Sequence, residues 1–302
     1  MARKAGYSTL ALDNLSRGDP RTLLHSDFIK GDLEDEELLA ALFKERRIDA
    51  VVHFAAFIDV GESCRHPALY YRNNLIATVR LLDTMRKHGV DKILFSSSAA
   101  IFGNPQTALV GEEHPCLPIN PYGHSKQMIE SLLHDYHAAY GLNFCCLRYF
   151  NAAGGDPEGV IKYYQPKPTN LIPLIFRSLK PAASPLTLFG TDYPTRDGTC
   201  IRDYIHLEDL GNAHLLALEK LCNGNRTSAC YNLGNGAGYS VREVIRATEQ
   251  LLGKRIHVLE GPRREGDPPI LVADAAKAQR ELGWKPSYSS LETIIQHAWA
   301  AL

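Results

Sequence analysis

The chain has 302 residues, 33 lysines and arginines against 34 acidic residues, and a formal net charge of -1. That balance offers no basic field for nucleic acid and no acidic tail of the disordered kind, and no apolar run approaches the ~18 residues of a membrane span. The 7 cysteines form no CxxC pair and no metal-ligand spacing, so they read as thiols of a reducing cytoplasm, with no metal site.

The first predicted element is a strand over residues 8–13 that closes on Asp13. In a dinucleotide-binding fold the second strand ends on such a carboxylate, which holds the adenosine ribose hydroxyls, and a glycine-rich turn lies about 20 residues ahead of it. Only MARKAGY precedes this strand. The first strand and the glycine-rich loop that cradles a pyrophosphate are therefore expected to be absent. Residues 28–33 read as the next strand, with Asp32 at its carboxyl end. Residues 35–47 read as a helix whose acidic-to-basic order follows the macrodipole. Residues 49–56 read as a buried parallel strand running into Ala55 and Ala56, small enough to admit a ligand against the backbone, with His53 as a packed core histidine.

One long helix is expected from Pro67, with Leu69, Tyr70, Leu75, Val79, Leu82 and Met85 on one face and Gly89 as its stop. Asn73 and Asn74 interrupt that face, and a pair of poor helix formers points to a polar task. A strand then runs through Lys92-Ile93-Leu94-Phe95 into three serines ending at Ser98. After a loop rich in proline, glycine and asparagine, a helix is entered through Tyr122-Gly123-His124-Ser125-Lys126. Tyr122 and Lys126 are four apart and share a helix face. A serine at a strand end facing this pair suits removal of a proton from an alcohol. A tyrosine hydroxyl of pKa about 10 needs a shift of roughly three units, about 4 kcal/mol, to act as a base at neutral pH, and a nearby cation supplies it.

With Ser98 two dozen residues ahead of Tyr122-x-x-x-Lys126, inside a strand–helix–strand alternation, the chain resembles the extended short-chain dehydrogenases/reductases, and among them the UDP-glucose 4-epimerases. The similarity runs from about Asp13 to Trp299. It implies NAD as cofactor and Ser98, Tyr122 and Lys126 as the catalytic set. It also implies that Asp13, Asn14, Leu15, Asp32 and Leu33 lie at the adenosine, and Phe54, Ala55, Ala56 and Asn73 along the dinucleotide. Tyr149 and Phe150 would lie at the nicotinamide. A carboxylate at Asp13 repels a 2′-phosphate, which favours NAD over NADP. Phe57-Ile58-Asp59 holds no basic residue where some members carry a cofactor-contacting lysine.

After the strand over residues 143–151 the alternation gives way to a proline-rich composition, so a dinucleotide-binding domain is expected over residues 1–151 and a nucleotide-sugar domain over 152–302. By the same resemblance, Asn151, Asn170, Leu171, Arg202, Tyr204 and Arg264 hold the UDP-sugar, Thr187 and Phe189 flank the uracil, and Asp267 takes ribose hydroxyls. Leu271 limits the sugar pocket. Arg202 suits a bidentate diphosphate clamp. Ser240-x-x-Glu243 and Ser289-x-x-Glu292 read as capping boxes, and Gly253 and Gly283 as helix stops.

The expected fold is α/β: a Rossmann-like doubly wound parallel sheet with a smaller α/β substrate-binding domain. The expected function is NAD-dependent epimerisation at C4 of a UDP-hexose through a 4-keto sugar. UDP-N-acetylglucosamine stays open as a substrate because Leu271 is of intermediate size, and UDP-pentose because the sequence does not separate it from the hexose. A catalytically impaired nucleotide-sugar-binding protein is the alternative that follows from an absent glycine loop. Dehydratases of the family carry an Asp-Glu pair where this chain has Ala99-Ala100. A homodimer through the helices of residues 67–88 and 122–141 is implied as in the family.

Overall fold

Alternation of side chains along adjacent parallel strands decides the layering. The computed structural model describes residues 1–23, 26–164, 168–224 and 227–302. Its first half runs β1 (Leu10–Asp13), β2 (Asp27–Lys30), α1 (Glu36–Glu45), β3 (Val51–His53), α2 (Val60–Arg65), α3 (Pro67–Tyr70), a π turn (Tyr71–Ile76), α4 (Ala77–Lys87), β4 (Lys92–Ser98), α5 (Pro121–Tyr140) and β5 (Asn143–Tyr149). The second half runs β6 (Asn151–Ala153), α6 (Leu171–Ser178), β7 (Leu186–Phe189), β8 (Ile201–His206), α7 (Leu207–Asn223), β9 (Ser228–Leu233), β10 (Gly238–Ser240), α8 (Val241–Leu252), β11 (Val258–Gly261), β12 (Ile270–Leu271), α9 (Ala276–Leu282) and α10 (Leu291–Ala300).

Strands β3, β4, β5 and β9 form one parallel sheet in that order, and β1 and β2 form a parallel pair of their own. Ile93, Phe95, Phe144, Cys146 and Cys230 face one side and pack against Leu81, Leu82 and Met85 of α4 and Ile129 and Leu133 of α5. Leu94, Cys145, Leu147, Tyr231 and Leu233 face the other and pack under Leu210, Ala213, Ala217 and Leu221 of α7, with Trp284. Strands buried on both faces read as near-continuous apolar runs, as these do, and helices on both sides make the sheet doubly wound. A second core joins α6, α8 and α10 to β7 and to Tyr204 of β8.

Several expectations are corrected. The strand expected over 49–56 ends at His53, because beyond it the Asn74 carboxamide replaces a ladder: Asn74 accepts from Phe57 N–H at 2.8 Å and donates to Phe57 C=O at 3.0 Å. The helix from Pro67 is broken by the π turn, an i→i+5 turn that shifts the helical phase. Tyr70, Asn74, Thr78, Leu81, Leu82 and Met85 are buried, whereas Leu69 is 43% exposed and Leu75 and Val79 are half-buried. The cap of α10 is Ser290, which accepts from Thr293 N–H at 3.1 Å, in place of Ser289. Strand β5 ends at Tyr149 and β6 begins at Asn151, and α7 and β9 then return to the first sheet. His53 is a packed core histidine as expected, its Nε2 at 2.8 Å from Thr78 Oγ1 and burial pulling its pKa down to about 3.

The expected capping box of α8 is present, with Ser240 Oγ accepting from Glu243 N–H and Glu243 accepting from Ser240 N–H. Ser240→Ala should cost about 1–2 kcal/mol, the upper half of the N-cap range because the hydroxyl is also buried against Asp197. Urea unfolding checks this; an unchanged midpoint would show that the cap is redundant.

Candidate active site

Ser98 is the last residue of β4, and its Oγ accepts from Ala100 N–H at 3.1 Å, capping a short 3-10 turn over Ala99–Phe102. Helix α5 starts beside that turn. Asn120 caps it by accepting from Gly123 N–H at 2.8 Å, and Pro121 occupies a position where its missing N–H has no cost. A Cβ on Gly123 would stand 2.5 Å from Ala100 O, so glycine is what lets the first turn of α5 close onto the end of β4. That contact sets the Tyr122 hydroxyl beside that of Ser98, which favours the ionised phenol. One turn later Lys126 Nζ donates to Ser96 C=O at 2.7 Å and lies 4.8 Å from the Phe95 ring centroid and 6.0 Å from that of Tyr122.

Burial sets the electrostatics. It pushes the Tyr122 phenol above its ordinary value, with the Ser98 hydrogen bond pulling the other way. It pulls the Lys126 ammonium down to about 7, against the opposing charge of Glu130. Tyr122 therefore keeps its proton at neutral pH until more positive charge arrives beside it, and Lys126 is close to its own titration point.

Lys126→Met should melt no lower than the parent to within about 1 kcal/mol, because it removes a cation that is 2% exposed and has one carbonyl acceptor, while catalysis should fall. The sign is definite. The native pKa of about 7 lies below the unfolded value of 10.5, so the burial penalty is fully present below pH 7 and disappears as pH rises to 10.5. Any stability gained by the substitution should be largest in acid; thermal melts across that range check it.

The other predicted site residues fall into groups. Asp13 ends β1, and its Oδ1 accepts from Leu15 N–H at 2.6 Å with Leu15 in the left-handed region at φ 59. Asn14 donates to Asp32 Oδ2 at 2.8 Å, and Leu33 packs at the edge of the α4–α5 core. Phe54 is 57% exposed, with Ala55 exposed and Ala56 half-buried after it. Asn73 donates to Asn74 Oδ1 at 2.9 Å. Tyr149 ends β5 with its hydroxyl on Ser96 Oγ, and Phe150 packs with Leu271 in a small core beneath Ala99 and Phe102.

On the second half, Arg202 donates to Asp267 Oδ1 at 3.1 Å rather than pairing with its neighbour Asp203. The buried Asp203 carboxylate instead accepts backbone N–H groups of Asn235, Gly236 and Ala273. Arg264 stacks over Phe189 at 4.2 Å, while Arg263 is held by Asp192 at 2.8 Å. Asn151 is the register partner of Tyr204, whose ring belongs to the second core. Asn170 stands at the N-cap of α6 without a side-chain cap bond, ahead of half-buried Leu171, and Thr187 is exposed on β7.

A family model described as GDP-mannose 4,6 dehydratase matches residues 1–297. The UDP-glucose 4-epimerase of Halalkalibacterium halodurans is 47% identical over 97% of this chain and 88% of its own length. Among solved structures, the UDP-glucose 4-epimerase of Brucella ovis in complex with NAD is 43% identical, with a TM-score of 0.93 over 98% of this chain and 91% of that one. That of Bifidobacterium longum in complex with NAD+ and UDP is 37% identical, with a TM-score of 0.94 over 99% and 92%. The chain belongs to the UDP-glucose 4-epimerase family. The dehydratase description names the wider family in which these epimerases sit.

Three features of this epimerase-family site escaped the sequence. Asn74 also donates to Ser125 Oγ at 3.1 Å, and Ser125 donates to Tyr122 C=O at 2.7 Å, so one buried amide ties the loop after β3 to the turn that carries Tyr122 and Lys126. The Asn73-Asn74 pair was the available signal, and the more buried of the two is Asn74. Ser96 serves twice, by its carbonyl to Lys126 and its hydroxyl to Tyr149. Glu130, one turn beyond Lys126, accepts from Arg148 on β5 at 2.6–3.1 Å and from Ser97, a buried ion pair with no local sequence signature.

Proposed function

We propose that this protein interconverts UDP-glucose and UDP-galactose by oxidation and re-reduction at C4 of the sugar. The observation that carries the reading is the Ser98–Tyr122–Lys126 set at the carboxyl end of β4, with Tyr122 and Lys126 buried and Ser98 half-buried. Tyr122 takes the proton of the sugar 4-hydroxyl, Ser98 hydrogen-bonds the same oxygen, and Lys126 stabilises the phenolate. Bound NAD would supply the hydride acceptor and donor for C4, and between the two transfers the 4-keto sugar would turn about its diphosphate linkage. On the return Tyr122 gives the proton back.

The residues present fit such a cofactor. The Asp13 carboxylate, with the Asn14–Asp32 pair beside it, suits vicinal ribose hydroxyls, and the exposed Phe54, Ala55 and Ala56 stretch leaves room for a flat ligand against the backbone. Asn73 and Tyr149 would border the dinucleotide, and Phe150 the nicotinamide. Asn151, Asn170, Leu171, Arg202 and Arg264 would hold the diphosphate and nucleoside, Thr187 and Phe189 the uracil, and Asp267 the ribose. Tyr204 and Leu271 would shape the pocket from behind. Holding the nucleotide firmly and the sugar loosely is what a reaction with a rotating intermediate requires.

Residues 1–151 would carry the dinucleotide and the remainder the nucleotide sugar, with α7 and β9 completing the first sheet. Leu75 and Val79 of the segment after α3 line a groove with Met128 and Leu132 of α5, flanked by exposed Leu69 and Ile76. A second copy packing there would give the homodimer, which sedimentation analysis tests. Among the described residues no helix is long and apolar enough to cross a membrane, and all seven cysteines are free, in keeping with a cytoplasmic enzyme.

Product identity tests the reaction. UDP-galactose supplied with NAD should yield UDP-glucose. A 4-keto-6-deoxy sugar would move the chain to the dehydratases, against the Ala99-Ala100 sequence where those carry an acid pair.

A further inference from the structure

Cys146 on β5 and Cys230 on β9 are direct partners in the parallel register. Register partners on neighbouring strands project to the same face, and a strand spacing of about 4.8 Å lies inside the roughly 4.4–6.8 Å between Cα atoms that a disulfide bridges. The two sulfurs and a Glu130 oxygen lie within 4.8 Å of one another, with Cys230 Sγ donating to Glu130 Oε2 at 4.0 Å. His134, one turn beyond Glu130 on α5, hydrogen-bonds Cys230. Cys146 is wholly buried, whereas Cys230 keeps 9% of its surface at the rim of this core. The next cysteine, Cys145, faces the opposite side of the sheet.

A metal centre is the first alternative, and the hydrogen bonds speak against it. Both Glu130 oxygens are engaged by Arg148, and one also by Ser97. Ligation by Glu130 would strip a buried guanidinium of its partner. What remains is a pair of thiols with a histidine against one of them, and the epimerase chemistry uses none of the three. Within the pair, Cys230 is the better nucleophile. Hydrogen bonds from Cys146 and then from His134 hold its thiol below the usual range, while burial, helped by Cys230 and Glu130 beside it, pushes Cys146 up.

We propose that Cys146 and Cys230 form a peroxide-reactive dithiol, with Cys230 attacking and Cys146 resolving. The Cys230 thiolate attacks one oxygen of a hydroperoxide, the O–O bond breaks, and the leaving hydroxide or alkoxide takes up the proton that Cys230 had released to His134. The resulting Cys230 sulfenic acid is attacked by the Cys146 sulfur, the S–O bond breaks, and hydroxide leaves with the Cys146 proton as water. Two thiols have then lost two protons and two electrons, and hydrogen peroxide has become two waters.

The test is a disulfide map of the full chain after brief treatment with about one equivalent of hydrogen peroxide, digested without reductant. The expected result is a Cys146–Cys230 cross-linked peptide, two hydrogen masses lighter than its parts, formed before Cys64, Cys116 and Cys222 are oxidised although these are less buried. Cys146→Ser should leave a sulfenic acid at position 230 that dimedone labels, and Cys230→Ser should remove both the cross-link and the label. Preferential oxidation of Cys64, Cys116 or Cys222 in the unmodified protein, with the pair still reduced, would overturn the proposal without reference to either variant.

Discussion

Replacing Tyr122 with phenylalanine should lower kcat for epimerisation about 10²–10⁴-fold, the usual contribution of a positioned acid–base group, and leave the fold in place. The substitution deletes one hydroxyl. The ring stays packed, being only 9% exposed, and Gly123 still closes the helix onto Ala100. Loss of one buried hydroxyl should change stability by no more than about 0.5–1.5 kcal/mol. The effect should fall on kcat rather than KM, because in the proposed mechanism the hydroxyl acts on the proton in flight and the nucleotide would be held by groups on the second half of the chain. Steady-state kinetics with UDP-galactose decide it. A variant within a few-fold of the parent would remove Tyr122 from the mechanism.

Arg148→Met should be the most destabilising of the substitutions considered, at about 3–5 kcal/mol. Arg148 and Glu130 have side chains only 8% and 6% exposed, and the substitution leaves the Glu130 carboxylate buried with no cation. The pair itself is not the source of that figure; the orphaned charge is. Two consequences follow. Glu130→Gln combined with Arg148→Met should recover much of the loss, since no buried charge remains. The single variant should also be less destabilised in acid, where protonation removes the orphaned charge. Urea unfolding of the four proteins in the cycle gives the coupling directly; additive losses would mean that the ion pair carries no interaction of its own.

The juxtaposition of Ser98, Tyr122 and Lys126 was legible because its geometry is local. Tyr122 and Lys126 sit one helical turn apart, and a run of serines ends the strand before them. Even the glycine between Tyr122 and His124 has its reason nearby, in the Ala100 carbonyl that a side chain would strike. The layers were legible for a similar cause, since β4 and β5 alternate two apolar faces. Contacts between residues far apart in the chain were not. Glu130 and Arg148 are separated by 18 residues, and nothing local in the sequence pairs an arginine of β5 with an acid on α5. Asn74 reaches 17 residues back to Phe57 and 51 forward to Ser125, and no periodicity encodes either. The π turn that carries it also explains why Leu69 was expected inside and lies outside: one helical phase was assumed across a segment that has two. The return of α7 and β9 to the first sheet is likewise a matter of topology, invisible to a boundary drawn from composition.

The central claim is that this chain inverts C4 by moving a hydride out and back, with Tyr122 handling only the hydroxyl proton. The most direct measurement is conversion of UDP-galactose in deuterium oxide, with NMR of the sugar C4 position in the product. UDP-glucose carrying no deuterium at C4 is the predicted result, because the hydrogen that leaves C4 is the one that comes back. Deuterium at C4, or no conversion at all, would contradict it.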